Sequence, residues 1–298
     1  GGAGNDIITT GAGNDIVDAG AGNDAITAGS GTQSLTGGAG DDTFTMAANQ
    51  ESVDTLAGGD GTDTATMSAA TVDADFTLAS SIETLTAGTA GTYTLGSLAQ
   101  AAGVVTFNGG QFAQTLAASA YTVALTVDLT TSSDDDDDTI TTGSGDDVFI
   151  FDGTNGLADG DSITSGTGTD VIQLKNTAAV TAVADLDNLS GVLKFETTDA
   201  DGAATNSGEA VSLTFSALTE GVIQNVVVDF SGITDSNDDV TVDASANDET
   251  ATTFTITGGA GADILTGGAG IDTISGGDGI DTISGGGGAD ILTGGAGN

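Results

Sequence analysis

The sequence predicts an all-β chain wound as a parallel β-solenoid and interrupted by irregular β inserts. Three observations carry that expectation: a nine-residue period, glycine and apolar residues that hold one phase within it, and an acidic charge with almost nothing to balance it. Residues 1–9 read GGAGNDIIT, 10–18 TGAGNDIVD, 19–27 AGAGNDAIT, 28–36 AGSGTQSLT and 37–45 GGAGDDTFT. At the other end, 258–266 read GGAGADILT, followed by GGAGIDTIS, GGDGIDTIS and GGGGADILT through residue 293. An internal period outranks any other sequence signal for fold.

Within each unit positions two and four are glycine and position eight is apolar, and position six is Asp in every unit but the fourth, which has Gln33. The eighth-position residues are Ile8, Val17, Ile26, Leu35 and Phe44, then Leu265, Ile274, Ile283 and Leu292. Glycine permits the left-handed backbone of a sharp turn. The three-residue tail with a central apolar residue is a minimal strand with one inward side chain. A turn and a short strand, repeated, wind into a solenoid with a narrow aliphatic core. A flexible Gly-rich linker does not explain apolar residues that keep their phase through both blocks.

Two nonapeptides make one coil, so alternate units stack. Asp6 is expected to face Asp24, and Asp24 to face Asp42; Asp263 is expected to face Asp281, and Asp272 to face Asp290. Carboxylates at strand spacing repel unless positive charge lies between them. The chain has 44 acidic residues, only two basic ones, Lys175 and Lys194, and a net charge of −42, so the counter-charge must be a bound cation. Carboxylates plus turn carbonyls give six or more oxygens, a set that suits Ca²⁺ better than Mg²⁺.

The same composition excludes other classes. Phosphate contact requires Lys or Arg, so neither nucleic acid nor an anionic membrane surface is an expected partner. No apolar run approaches the roughly 18–20 residues of a membrane span, and direct membrane insertion is not expected. With no His and no Cys, no Ser–His, Cys–His or zinc–thiolate site can be built. The chain opens within a repeat at Gly1 and stops within one at Asn298, and is expected to be a stretch of a longer protein.

Between the blocks, single units recur at 58–66 with Asp63, 142–150 with Asp147 and 165–173 with Asp170. Asp138 falls at position six of a unit whose eighth residue is Ile140, while Asp134–Asp137 read as a solvated acidic loop. Tyr121, Val123, Leu125, Val127 and Leu129 alternate with polar or small residues, which predicts a half-buried strand. Val211, Leu213 and Phe215 repeat that alternation, Val226–Val228 form a short apolar run, and Ser97–Ala102 hint at a helical turn. The expected organisation is a repeat block 1–66, a Thr/Ala-rich β spacer 67–133, a degenerate block 134–173, a second β spacer 174–257 and a repeat block 258–298 that continues past the last residue.

The pattern resembles the RTX (repeat-in-toxin) family, G-G-x-G-x-D-x-U-x. The resemblance implies a right-handed β-roll with Ca²⁺ held between stacked turns. Its ligands would be Asp6, Asp15, Asp24, Asp42, Asp63, Asp138, Asp147, Asp170, Asp263, Asp272, Asp281 and Asp290. Turn carbonyls would complete the sites, from Gly2, Gly4, Gly11, Gly13, Gly20, Gly22, Gly38 and Gly40 in the first block. In the last block they would come from Gly259, Gly261, Gly268, Gly270, Gly277, Gly279, Gly286 and Gly288. Gln33 replaces the acid of the fourth unit, so the site it shares with Asp15 is expected to be weak or empty. The family also implies type I secretion of the full-length protein in an unfolded state, with folding at millimolar extracellular Ca²⁺.

No enzyme is expected. Gly160-Asp161-Ser162-Ile163 looks like an esterase block, yet that chemistry needs a His base. No HExxH motif is present. Paired carboxylates can cleave glycosides, but there is no Trp and only two Tyr to seat a sugar. Asn188-Leu189-Ser190 is a chance-level match to a glycosylation acceptor.

Three functional classes remain. The expected one is a structural protein of a bacterial surface layer, secreted and self-associating through Ca²⁺ into a lattice at the cell surface. Ile82-Glu83-Thr84-Leu85 and Phe195-Glu196-Thr197-Thr198 resemble recurrent elements of such proteins. The alternatives are a segment of an RTX adhesin or extracellular filament, and the Ca²⁺-dependent secretion and folding module of a toxin or hydrolase.

Overall fold

The computed structural model describes residues 1–46, 54–68, 73–110, 112–130, 138–152, 162–175, 189–190, 194–197, 210–215 and 225–297. It is a β-solenoid in which all the strand pairs described below are parallel. The chain divides into two compact units, one of residues 1–131 with 138–145 and the other of 132–137 with 146–298.

In the first unit one column of strands runs Ile7–Thr9, Ala25–Thr27, Thr43–Met46, Thr64–Met67, Thr84–Ala87, Thr106–Asn108 and Thr126–Asp128. Its register superposes Ile8 on Ile26, Ile26 on Phe44, Phe44 on Ala65, Ala65 on Leu85, Leu85 on Phe107 and Phe107 on Val127. An opposing column runs Gly2–Ala3, Ile16–Ala21, Ser34–Ala39, Thr55–Asp60 and Ala79–Ser80, stacking Val17, Leu35 and Leu56. A third set, Gly91–Thr94, Gln114–Ala117 and Thr139–Thr141, stacks Tyr93, Leu116 and Ile140.

The core is therefore a file of eighth-position side chains. Ile26, Leu35, Phe44, Leu85, Phe107, Leu116 and Val127 are all buried. Fully burying each such side chain is worth about 1.5–3 kcal/mol, while the flanking Thr and Ser face outward on alternate positions.

The second unit repeats the plan. Val148–Asp152, Val171–Lys175, Lys194–Thr197, Asn225–Asp229, Thr253–Thr257, Thr273–Asp278 and Ile291–Ala296 form one column. It superposes Phe149, Ile172, Phe195, Val228, Ile256, Ile274 and Leu292 in turn. Ala210–Thr214, Asp239–Asp243, Ile264–Thr266 and Thr282–Ser284 stack Leu213, Val242, Leu265 and Ile283. Phe215 lies edge-on to both Phe195 and Phe254, with centroids 5.3 Å apart in each pair, the geometry aromatic rings favour.

The described parts of both spacers continue these columns as coils of the solenoid. Val211, Leu213 and Phe215 are buried as their alternation predicts, and so are Val226 and Val228. Ser97–Ala102 is an α-helix closed by Gly103 at φ 110°. Asp73 supports its start, accepting the N–H groups of Gly96, Leu98 and Ala99.

The alternation from Tyr121 to Leu129 is not one strand. Only Thr126–Asp128 is β, and Val123 is 40 % exposed. Residues 121–123 form a turn stacked on the 143–145 turn, with Ser144 N–H donating to the Tyr121 carbonyl at 2.8 Å. The physical reason lies in the repeat itself. Its special positions two, four, six and eight are spaced by two, so a unit that replaces Gly, Gly and Asp with Tyr121, Val123 and Leu125 imitates a strand.

Candidate metal centre

The glycines named above stack by position. Gly2, Gly20 and Gly38 form one column, and Gly4, Gly22 and Gly40 a second. Gly11 lies on Gly29 and Gly13 on Gly31; in the last block Gly259 lies on Gly277, Gly261 on Gly279, Gly268 on Gly286 and Gly270 on Gly288. Gly20 shows why the residue is required: it sits at φ 113°, and a Cβ there would collide with the Gly2 carbonyl oxygen. Two of the position-two carbonyls also serve the coil ladder. Gly259 O accepts the Asp278 N–H at 3.0 Å and Gly268 O the Gly287 N–H at 2.8 Å.

The sixth-position acids form a ladder along each column. Asp24 Oδ1 accepts the Asp6 N–H at 2.7 Å, and Asp42 Oδ1 accepts the Asp24 N–H at 2.8 Å, each across 18 residues. Asp63 Oδ1 accepts the Asp42 N–H across 21 residues. In the second unit Asp170 receives the N–H of Asp147, Asp281 that of Asp263 and Asp290 that of Asp272. Thus the expected stacks exist, and a backbone hydrogen bond sets the register of each carboxylate.

In Asp24, Asp42, Asp63 and Asp170 Oδ1 is used this way, while their Oδ2 atoms, like those of Asp6 and Asp15, are buried without a hydrogen-bond partner. Asp263 and Asp272 differ: their Oδ2 atoms accept the Gly259 and Gly268 N–H groups at 3.0 and 2.8 Å. Asp24, Asp42, Asp63, Asp138, Asp147, Asp170, Asp263 and Asp272 are all buried residues, whereas Asp6, Asp15, Asp281 and Asp290 are half-buried. Burial pushes the Asp63 carboxyl up to about 6, with the charges of Asp42, Glu83 and Asp41 adding to it against the Asp42 N–H. Burial likewise raises Asp42, Asp263 and Asp272, and a neighbouring ladder carboxylate adds to each.

Some acids stack on a preceding coil that carries no acid at the sixth position. Asp138 Oδ1 accepts the Gln114 N–H at 2.7 Å. Asp263 Oδ1 accepts from Val240 and Asp272 Oδ1 from Phe254, so an apolar residue occupies the sixth position of the preceding coil. In the Asp15 column the next coil holds Gln33, whose N–H goes to Asp54 Oδ1 at 2.6 Å. Its amide Nε2 donates to the Gly13 carbonyl at 2.9 Å.

Two ladder members escaped sequence reasoning. Asp54 is buried in the same column as Gln33, and burial raises its pKa. Its unit has no glycine, but it lies nine residues before Asp63 and is followed by Thr55-Leu56, the usual tail. Glu83 ends the Asp63 column, accepting the Asp63 N–H with Oε2 at 2.8 Å. A second, reversed ladder was also missed. Asn5, Asn14, Asn23 and Asp41, all at position five, accept the N–H of the fifth residue one coil further on.

Asp134–Asp137, Gly160, Asp161 and Asn188 lie outside the described residues. Among the described residues no three acidic side chains converge as a metal cluster, so a ladder step offers at most two carboxylates, and a cation there would need further oxygen ligands.

The family model for the RTX calcium-binding nonapeptide repeat matches residues 1–32, 27–45, 132–158, 255–274 and 266–298. The chain carries RTX repeats. Comparison with curated proteins and with solved structures gives no match. Asp54, Asp63, Glu83 and Asp170 fall outside the matched RTX segments. The donor set fits the calcium such repeats bind: it is all oxygen, rich in carboxylate, and holds buried anionic atoms that no hydrogen bond satisfies.

Proposed function

We propose that this chain is a calcium-folded structural segment of a secreted bacterial surface-layer protein. The observation that carries the reading is the file of buried, unpartnered carboxylate oxygens, stacked coil on coil in a chain of net charge −42. A buried carboxylate without a partner is costly, and two lysines cannot neutralise 44 acids. Bound Ca²⁺ supplies the missing charge. The chain's own residues do the rest: Asp Oδ1 atoms hold the coil register, the turn glycines let carbonyls approach, and the apolar file excludes water.

The spacer coils favour a structural role over an appended folding tag, because they extend the same strand columns as the repeats. On this reading the acidic outer surface binds further Ca²⁺ between copies, so the partner is a second copy of the chain. The full-length protein leaves the cell through type I secretion, and no catalytic role is assigned to this stretch.

The test is to bring calcium-free protein to millimolar Ca²⁺ and image it by negative-stain electron microscopy. Ordered arrays that dissolve in chelator are expected. Folded but dispersed particles would contradict the lattice role and leave an adhesin segment or a folding module as the account.

A further inference from the structure

Asp63 has no exposed surface, and its Oδ2 has no hydrogen-bond partner. The coil that follows it departs from the nonapeptide. Ala57 pairs with Ser80 and Thr64 with Thr84, so the turn Gly58–Asp63 is answered by Ser81, Ile82 and Glu83 alone. Ser81 makes this short corner at φ 52°, the one non-glycine among the described residues in the left-handed region. Its carbonyl comes to Gly58, where a Cβ would collide with both that oxygen and Asp63 Oδ2. Two electron-rich oxygens from successive coils thus close on one point. Glu83, one methylene longer than Asp, takes over the ladder place from the shortened corner, 2.8 Å from the Asp63 N–H.

We infer that Asp63, Glu83 and the Ser81 carbonyl form a calcium site joining the first repeat block to the spacer coil, outside the segments that match the RTX model. The inference rests on the reading that Ca²⁺ occupies the aspartate ladders. It adds a site with a glutamate and a three-residue corner in place of an aspartate and a glycine turn. The site has a consequence for the spacer. The Ile82 N–H, within the corner, donates to Ala102 O at 3.0 Å, so an ion that fixes 81–83 also fixes the end of the helix Ser97–Ala102.

The test uses the full chain, with Glu83→Gln and Glu83→Lys, read by calcium equilibrium dialysis and by amide hydrogen exchange over 79–108. Glu83→Gln keeps an acceptor for the Asp63 N–H but removes a ligand charge. It is expected to bind one Ca²⁺ fewer and to need about tenfold more Ca²⁺ for protection of 79–108, since affinity follows ligand charge. Glu83→Lys is expected to lose the same ion yet to protect 79–108 at low Ca²⁺, because the ammonium brings the charge itself. An unchanged calcium count in both variants, with the parent chain binding several ions, overturns this site alone. Weaker protection at an unchanged count overturns it too, reducing Glu83 to a hydrogen-bond acceptor. A parent chain that binds no Ca²⁺ overturns the underlying reading and this site with it.

Discussion

Gln33 isolates what charge does in the ladder. It keeps the backbone contact of an aspartate, giving its N–H to Asp54 Oδ1. Its side chain differs by carrying amide hydrogens, and one of them reaches the Gly13 carbonyl, an oxygen of the kind assigned to the cation elsewhere. On the proposed reading, the amide does at this one contact what the ion does elsewhere. Gln33→Asp removes that donor and places a carboxylate in the Asp15 column. The variant is expected to bind one more Ca²⁺ per chain and to lose structure more readily in chelator. Equilibrium dialysis checks the count, and an unchanged number contradicts the account.

The same scale sets the pH dependence. Burial raises Asp63 from 3.8 to about 6. A folded value above the unfolded one means that protonation favours the fold. That contribution is fully present below pH 3.8 and is lost as pH rises through about 6. Calcium and the proton compete for the same oxygens, so calcium affinity is expected to fall as pH drops from about 7.5 to 5. Calorimetric titration across that range checks the direction; affinity that stays level contradicts it.

At the scale of the element, each coil is a turn that handles charge and a strand that buries one residue. Phe44 shows the strand's share: it is fully buried on Ile26 and Ala65. Phe44→Ala is expected to cost about 3–5 kcal/mol, read as a higher calcium midpoint for folding with the calcium count unchanged. A loss of bound ions at saturating Ca²⁺ would contradict that division of labour.

The regular coils were legible because glycine at two and four repeats without a slip and an acid at six fails only at Gln33. The degenerate coils were not, for two reasons. A unit such as 121–128 keeps the two-residue spacing of its inward positions but swaps glycine for Tyr and Val, which erases the turn from the sequence. Glu83 and Asp54 keep the ladder but lose the glycines, because the corner at Ser81 is cut short and residues 49–53, which precede Asp54 in its unit, include no glycine. The fifth-position ladder was visible as repeated Asn5, Asn14 and Asn23, yet an Asn beside a Gly reads equally well as turn chemistry. Its role as a cap for the next coil appears only once the coils are stacked.

For the whole molecule, acidity and fold are one problem. At a net charge of −42 the compact state suffers self-repulsion that no internal lysine pairing relieves. Lys194 forms an ion pair with Asp229 at 3.4 Å, which leaves the buried ladder oxygens as they are. A bound ion at a hundred times its dissociation constant stabilises the fold by about 2.7 kcal/mol. A typical domain is stable by only about 5–15 kcal/mol, so several ladder steps are enough to decide whether this chain folds. Magnesium is a poor substitute, since it demands an octahedral shell and keeps its waters.

The most direct measurement is far-ultraviolet circular dichroism of the chain stripped of metal, then titrated separately with Ca²⁺ and Mg²⁺ to millimolar concentration. The account predicts a disordered spectrum in chelator, a cooperative rise of β structure with Ca²⁺, and little change with Mg²⁺. A β spectrum that is already native-like in chelator would contradict it, because the buried carboxylates would then be tolerated without the ion assigned to them.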